Sequence, residues 1–233
     1  MKTKLLLIVL SLAAILSLCA CGKESYSLLH SIDCGGRTYC VRGSKTRAKQ
    51  IVVKEEDRVI WSQKVKVDTA VGTRGGSYGF EVLDLNFDGF VDFMISDNIA
   101  GDCVSYICWL WDNAAGDYIK SDSLTGLCNV KVNEELQAVF GFTHSYETEK
   151  AYLDVPATST TTDSTTKYVW KDGILTPEIR ASITYYSETD TYLYSVAYYN
   201  EETKTMEEDY TKEQWMTPEE YKTKDMSVVY YFK

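Results

Sequence analysis

Short runs of apolar and aromatic residues, separated by polar turns, dominate the pattern along the chain. Four segments each contain two such runs around one turn: QIVVKEEDRVIWSQKVKV, YICWLWDNAAGDYIKSDSL, KYVWKDGILTPEI and TYLYSVAYYNEETKTMEEDY. Asp-Gly turns and turns that contain Asn, placed between β-branched and aromatic runs, are strong local signals for hairpins. The pattern therefore predicts four antiparallel hairpins.

Helix signals are confined to one short segment near the C-terminus. In TPEEYKTK, residues 217–224, Thr217 fits the N-cap, Pro218 fits the first helical position, and acidic residues follow in the first turn. The chain ends on SVVYYFK, which has the composition of a final strand.

We expect an all-β fold. Short, evenly spaced strands are typical of a β-propeller-like array of antiparallel hairpins, with a β-sandwich as the alternative. At roughly 40–45 residues per unit, the chain would have about five units. The stretch DVPATSTTTDSTT, residues 154–166, is rich in Ser and Thr. We expect it to be an exposed loop, with a threonine-rich β-strand edge as the alternative.

The first residues have the pattern of an export signal. Two lysines precede an apolar run over residues 5–18, which is shorter than the roughly 20 residues that a transmembrane helix needs. The LCAC sequence at 18–21 resembles the lipobox of bacterial lipoproteins, with the small Ala20 just before Cys21. Cys21 is therefore the predicted lipidation site. Cys19 is the competing position, and a plain signal peptide or an uncleaved anchor is the alternative.

The lipobox divides the chain into a signal peptide at residues 1–20, a lipidated N-terminus and tether at 21–27, and one β domain at 28–233. A diacylated cysteine provides two chains, which suffice for stable anchoring, whereas one chain is marginal. We therefore expect a protein that is anchored by lipid to the cell membrane and lies on its extracytoplasmic side.

The acidic charge balance narrows the choice of partners. The formal net charge is −10, and it becomes −12 without the signal, which carries two lysines and no acids. Such a surface disfavours nucleic acid and disfavours membrane binding through a basic patch. It is compatible with a cationic partner.

Cysteine usage agrees with export, because disulfides persist outside the cytoplasm. Cys34 and Cys40 flank GGRTY and are a possible disulfide across a hairpin. Cys103 can pair with Cys108 or with Cys128, and the five cysteines beyond the lipobox leave one thiol over. Buried free thiols are the alternative. The spacings contain no C-x2-C pair and the chain has two histidines, which disfavours a zinc site.

DLNFDGFVDF, residues 84–93, has the pattern of a calcium-binding loop. Oxygen-bearing side chains recur at alternate positions, a glycine follows where the chain must turn, and the next residue can offer its backbone carbonyl. Calcium binds about six to eight such oxygens in a flexible loop. The predicted ligands are Asp84, Asn86, Asp88, Phe90 and Asp92.

The loop differs from an EF-hand. Ile95 occupies the position of the bidentate glutamate, and the flanks FEVL and FMIS have the composition of strands. We therefore expect a strand–loop–strand calcium site at residues 84–92 that stabilises the fold, not a sensor. A solvated Asp-Gly turn is the alternative, and magnesium is disfavoured because it requires a stricter octahedron.

Three segments carry a resemblance to a known family: EVLDLNFDGFVDFMISDN, YICWLWDNAAGDYIKSDSLTGLCNVKV and KYVWKDGIL. Together they are similar to bacterial lipoproteins with a calcium loop of the FG-GAP/VCBS-like kind, over about residues 78–176. Asn129 matches an asparagine of that pattern, whereas Val130 replaces the usual proline. The resemblance implies a β-propeller-like, calcium-stabilised, non-enzymatic envelope protein. Some members of the family are immunity proteins that inhibit secreted peptidoglycan hydrolases.

The sequence gives little support to catalysis. It contains no phosphate loop of the G-x-x-x-x-G-K type. A serine or cysteine nucleophile would need His30 or His144 as its base, and we interpret both as structural or surface residues. We therefore do not expect an enzyme.

Aromatic residues are the better indication of function. Trp109 and Trp111 share one face of YICWLW, and one face of this strand must be core. Core packing is the expected role of the two tryptophans, and a binding patch for a glycan or a protein is the alternative. We expect a binding protein for a protein or a cell-wall polymer, with the inhibitor or immunity role as one version. The alternatives are a cell-wall glycan hydrolase and a structural envelope lipoprotein without a discrete ligand.

Overall fold

The computed structural model describes residues 26–45, 47–67, 79–149 and 158–224. The strands in these ranges are β1 (Ser27–Cys34), β2 (Arg37–Ser44), β3 (Arg47–Glu55), β4 (Arg58–Lys64), β5 (Phe80–Leu83), β6 (Asp92–Ala100), β7 (Cys103–Asp112), β8 (Asp117–Lys120), β9 (Lys131–Asn133), β10 (Ala138–Glu149), β11 (Thr158–Lys171), β12 (Ile174–Tyr186), β13 (Thr191–Asn200), β14 (Thr205–Glu208) and β15 (Gln214–Met216). The helical elements are α1 (Asp122–Thr125), a 3-10 turn (Tyr210–Lys212) and α2 (Pro218–Thr223).

The described strands form three antiparallel sheets. Sheet 1 has the order β1-β2-β3-β4 and sheet 2 the order β5-β6-β7-β8. Sheet 3 has the order β14-β13-β12-β11-β10-β9, and β15 also pairs with β13. The all-β prediction is confirmed, and stacked open sheets fit the β-sandwich alternative. The described part shows three sheets where about five units were expected, because the long strands β10 to β13 join one continuous sheet.

The four predicted hairpins are confirmed. They are β3–β4, β7–β8, β11–β12 and β13–β14, with turns at residues 56–57, 113–116, 172–173 and 201–204. In the β11–β12 turn, Asp172 and Gly173 both have positive φ, at 50° and 77°. Such values match the twist of the flanking strands, which is why an Asp-Gly pair signals a hairpin so reliably.

The predicted helix near the C-terminus is also confirmed as α2. Thr217 is its N-cap, and Pro218 is its first residue. The side chain of Thr217 accepts a hydrogen bond from the Glu220 amide at 3.3 Å, and the Glu220 carboxylate accepts one from the Thr217 amide at 2.8 Å. This capping box satisfies two amides that the helix itself cannot.

The Ser/Thr-rich segment is a strand in its described part. Residues 158–166 belong to β11, so the loop prediction was wrong there, whereas 154–157 lie outside the described residues. β11 pairs with β10 on one side and β12 on the other, so it is an interior strand and not an edge. Threonine suits this place because its branched side chain favours extended backbone. Its hydroxyls bond across strands, as between Thr162 and Thr184 at 3.0 Å.

Sheet 2 is the middle layer of the stack. Alternate residues of β7 enter two hydrophobic cores, one shared with sheet 1 and one shared with sheet 3. Ile107, Trp109 and Trp111 lie on the sheet 1 side. Tyr106, Cys108 and Leu110 lie on the sheet 3 side. A strand buried on both faces is apolar throughout, which accounts for the composition of YICWLW.

Burial changes the interpretation of the two tryptophans of β7. Trp109 is only 5% exposed and stacks on Phe93 with a ring-centroid distance of 5.2 Å, so it is a core residue that no partner can contact. Trp111 is half-buried, and the Arg37 guanidinium lies 4.1 Å from the centroid of its ring. Core packing is therefore confirmed for Trp109, which excludes it as a binding residue, whereas Trp111 keeps part of its side chain accessible.

The structure contains one disulfide within the described residues, between Cys103 and Cys128. Cys34, Cys40 and Cys108 are free thiols. The possible Cys34–Cys40 disulfide is therefore not formed. The register explains this, because Cys40 lies opposite Ser31 and Cys34 lies opposite Arg37.

Removing the disulfide with Cys103→Ser and Cys128→Ser together should lower the free energy of unfolding by roughly 3 kcal/mol, since the bond closes a loop of about 25 residues. Urea denaturation followed by tryptophan fluorescence measures this loss. The control is Cys34→Ser, a half-buried free thiol, which should cost much less. Equal losses in the two variants would contradict a stabilising role for the disulfide.

The predicted export signal and Cys21 lie outside the described residues, as does SVVYYFK at the C-terminus. Within the described part of the chain, the helices are too short and too polar to cross a membrane.

Candidate metal loop and the adjoining groove

The candidate metal loop connects β5 to β6, which agrees with the predicted strand–loop–strand arrangement. Its backbone reverses sharply. Phe87 has φ of 60° and Gly89 has φ of 86°. Positive φ is costly for residues with a Cβ, so the glycine at this place is required by the turn itself.

Oxygen atoms of Asp84, Asn86 and Asp88 converge inside the loop. The Asp88 amide donates to both Asp84 Oδ1 and Asn86 Oδ1 at 3.3 Å, so these two oxygens lie on the same side of the turn. Asp84 Oδ2 accepts from the Gly89 amide, and Asp88 Oδ1 accepts from the Phe90 amide, both at 2.8 Å. The loop thus holds its acidic side chains close together with its own amides.

Asp92 differs from the other predicted ligands because it is fully buried at the start of β6. Its Oδ2 accepts a hydrogen bond from the Leu85 amide at 2.8 Å, and its Oδ1 accepts one from the Trp111 amide at 2.7 Å. Asp92 therefore ties the loop to the neighbouring strand β7.

Burial raises the pKa of Asp92 to about 7. The amides of Trp111 and Leu85 oppose this rise in pKa, and the charges of Asp88 and Asp84 add to it. A buried carboxyl group whose pKa is raised by two neighbouring carboxylates is in an electrostatic setting that a bound cation relieves.

The donor set fits a calcium ion better than a transition metal. In the described residues, His, Cys, Asp and Glu side chains form no group of three arranged to hold a metal. Calcium does not require such a group, because it also accepts amide and backbone carbonyl oxygens, and the predicted positions Asn86 and Phe90 carry such oxygens. The five predicted positions lie in one loop, and the oxygens of Asp84, Asn86 and Asp88 lie close together.

Trp170 fixes the other side of the loop. It lies on β11 of sheet 3, and its Nε1 donates to the Leu85 carbonyl at 2.9 Å. The ring also packs against the core between sheets 2 and 3. The sequence pattern alone indicates no role for Trp170, although this residue belongs to the KYVWKDGIL segment.

A groove of about 670 Å³ adjoins the loop, and we call it the loop groove. Its walls are the metal loop at Asn86 and Asp88, the end of β7 with the following turn, the segment from Ile119 to Ser123, and the β11–β12 hairpin at Trp170 and Gly173. The groove is not evident from the sequence, because its four walls come from distant parts of the chain.

A second cavity of about 540 Å³ lies beside the disulfide and is lined by Phe140, Phe142 and Val132 with a few polar residues. Asn129 also lines this cavity, and hydrogen bonds hold its side chain in place. The Asn129 side chain accepts from the Val104 amide at 3.0 Å and donates to the carbonyls of Asp102 and Phe142. The asparagine shared with the family pattern therefore has a structural role at a position where φ is 51°.

The two histidines lie apart from the loop groove. His30 has an edge contact with Phe80 at 6.5 Å between ring centroids. His144 is exposed and paired with Asp163 at 2.7 Å, and this hydrogen bond raises the pKa of His144. Neither contact joins a serine or cysteine nucleophile.

GGSYG at residues 75–79 has the G-x-S-x-G spacing of a nucleophile elbow, so the sequence does contain this pattern. An elbow needs a strand before the serine and a helix after it. Here strand β5 begins at Phe80, directly after the pattern, and residues 68–78 lie outside the described residues. The match therefore carries no argument for a hydrolase.

Comparison with known proteins relates the chain to others by fold alone. No protein-family model and no curated protein matches it. A solved structure described as "Structure of a Xanthomonas Type IV Secretion System related protein" is similar to it with a TM-score of 0.53 and 14% sequence identity. The similarity covers 79% of this chain and 97% of that chain.

Proposed function

We propose that the protein is a lipid-anchored, extracytoplasmic binding protein, stabilised by calcium and acting on a protein partner as an inhibitor does. The observation that carries this proposal is the placement of the metal loop. Asp92 ties it to β7 and Trp170 ties it to β11, so that it forms a fixed wall of the loop groove. A groove with fixed walls binds at a lower entropic cost than one that must be ordered.

Calcium would be held by Asp84, Asn86, Asp88, the Phe90 carbonyl and Asp92. When bound, it supplies positive charge that offsets the repulsion among the carboxylates. The chain's own residues then keep the loop in one shape, which in turn keeps the groove open beside it.

Calcium should raise the melting temperature of the metal-free protein. At a calcium concentration of 100 times Kd the stabilisation is about 2.7 kcal/mol, and Kd itself is expected to be on the order of 10⁻⁴ to 10⁻³ M, as in extracellular sites. Asp84→Ala and Asp88→Ala should abolish the rise. Thermal melts with calcium and with chelator measure it.

Glu188→Ala is the matched control for these two loop variants. Glu188 is an exposed acid in the β12–β13 turn, outside the loop, so this variant should keep the full calcium response. If the response also survives in Asp84→Ala and Asp88→Ala, the stretch is an acidic turn and not a calcium site.

The inhibitor role is tested by adding the full chain, purified in detergent, to a panel of peptidoglycan hydrolases that includes a basic lysozyme. We expect a decrease in the rate of cell-wall lysis for at least one enzyme, together with a 1:1 complex. The similar fold of a secretion-system related protein is compatible with such a role but does not require it. Unchanged lysis rates and no complex across the panel would refute the proposal.

One observation favours the alternative function, that of a glycan hydrolase. Asp112 and Asp122 both line the loop groove, and most glycosidases use two carboxyl groups in catalysis. The same assay separates the two functions, because release of soluble sugar by the protein alone would identify a hydrolase.

A further inference from the structure

We propose that the loop groove and its rim are a docking surface for a basic protein. This inference rests on the proposed function and adds to it the place of contact and the charge of the partner. It follows from exposed aliphatic side chains that stand next to uncompensated carboxylates.

Two isoleucines at the rim are largely exposed. Ile119, on strand β8, is 51% exposed, and Ile174, which follows Gly173 at the start of β12, is 68% exposed. Both strands belong to well-packed sheets whose other aliphatic side chains are largely buried. Large apolar side chains left at a groove rim are typical of protein interaction sites.

The charge of the groove is negative. Asp88, Asp112 and Asp122 line it, and Lys120 is the one basic side chain among its lining residues. Lys120 is already paired with Asp122 at 3.4 Å. Asp112 Oδ1 accepts hydrogen bonds from the amides of Ala114 and Ala115, at 2.8 and 3.0 Å. Its Oδ2 has no hydrogen bond within the described part of the chain.

This negative charge remains when the loop binds calcium. The ion would compensate Asp88, and Lys120 already compensates Asp122, but Asp112 lies outside the loop and has no basic partner within the described residues. The exposed Asp172 of the β11–β12 turn adds a further acid beside Gly173. Because the whole chain also carries a net charge of −10, a cationic partner is attracted and an anionic polymer is repelled.

The aromatic walls suit the same partner. The Trp111 ring already takes one guanidinium, that of Arg37, at 4.1 Å. Trp170 is held in place by its hydrogen bond to Leu85. Rigid tryptophans beside carboxylates form a setting in which arginine side chains of a partner bind strongly. Small neutral ligands would leave the exposed isoleucines uncovered.

The experiment measures binding of the full chain in detergent to a basic lysozyme and to the other hydrolases of the panel, at low and at physiological salt. The variants are Ile119→Lys and Ile174→Lys, which should fold because both side chains are mostly in solvent. The control is Val59→Lys on β4 of sheet 1, since Val59 is also an aliphatic residue on a strand and is 53% exposed.

We expect at least a tenfold loss of affinity in each groove variant, less than a twofold change in Val59→Lys, and weaker wild-type binding as salt rises. Unchanged affinity in the groove variants would overturn this docking surface while leaving the proposed function intact. If the wild type binds no enzyme of the panel, both fail. Binding of soluble peptidoglycan glycan fragments that the groove variants abolish, with no protein bound, would identify a glycan site and overturn the protein partner.

Discussion

Replacing Phe93 with alanine is expected to lower the free energy of unfolding by about 3–5 kcal/mol, the range for truncating a buried aromatic residue. Phe93 is fully buried on β6. Its ring centroid lies between 4.8 and 6.0 Å from five other aromatic centroids, those of Tyr39, Trp61, Phe80, Trp109 and Tyr118. The loss combines lost burial with a cavity that rigid neighbouring rings cannot fill.

This substitution should weaken the contact between two sheets. Tyr39 and Trp61 belong to sheet 1, whereas Phe93 and Tyr118 belong to sheet 2. The hydroxyls of Tyr39 and Tyr118 lie 2.9 Å apart, and burial raises the pKa of both phenols. Water entering the cavity would reach this buried pair, so we expect the two sheets to unfold less cooperatively.

Urea denaturation of Phe93→Ala, read by fluorescence and by far-UV circular dichroism, measures both effects. Val59→Ala is the control, because Val59 is an exposed residue of sheet 1 and should change stability by less than about 0.5 kcal/mol. If Phe93→Ala behaved like Val59→Ala, the contact of sheets 1 and 2 through this aromatic cluster would be refuted.

The local features of the fold were predictable because they are encoded within a few residues. The Asp172–Gly173 turn needs positive φ at two successive positions, and the α2 capping box needs Thr217 and Glu220 three residues apart. Each requirement appears in the sequence as a recognisable pair. All four hairpins and the helix were therefore found.

Features that depend on packing between sheets were not predictable. Trp109 and Cys108 lie on opposite faces of β7, so one of them would be exposed if only one face of the strand were covered. Only the presence of sheets on both sides of β7 shows that both residues are core. The polarity of residues 158–166 suggested a loop, because the sequence does not show that β10 and β12 will flank β11. Cysteine pairing likewise depends on register, which places Cys40 opposite Ser31.

The candidate site shows the same division. The spacing of Asp84, Asn86 and Asp88 in the sequence located the loop. Asp92 accepts from the Trp111 amide, which is 19 residues away along the chain, and Leu85 accepts from Trp170, which is 85 residues away. Such distant contacts are not visible in the local sequence. The loop groove exists only after three distant segments meet the loop.

Asp92 should make the stability of the calcium-free protein fall as pH rises from 5 to 8. Its pKa is about 7 in the folded protein, above the ordinary value of 3.8. A carboxyl with a raised folded pKa contributes stability that is fully present below the unfolded pKa and is lost as pH approaches the folded pKa. One pKa unit corresponds to about 1.4 kcal/mol, so the loss can reach several kcal/mol.

Calcium should reverse this trend, because the ion favours the ionised carboxylate and displaces the proton from Asp92. Its stabilising effect is therefore expected to be larger at pH 8 than at pH 5, and its affinity should weaken as pH falls through 7. Denaturation at both pH values, with calcium and with chelator, measures the two trends. An equal calcium effect at the two pH values would show that calcium binding is not linked to this proton.

Asp92→Asn is the variant that isolates this group. It should be less stable than the wild type, because one of the amides of Leu85 and Trp111 would face an NH₂ group in place of an acceptor. Its stability without calcium should change less with pH between 5 and 8, and its calcium response should be small. Parallel pH profiles for wild type and variant would show that Asp92 is not the titrating group, and an unchanged calcium response would remove it from the ligand set.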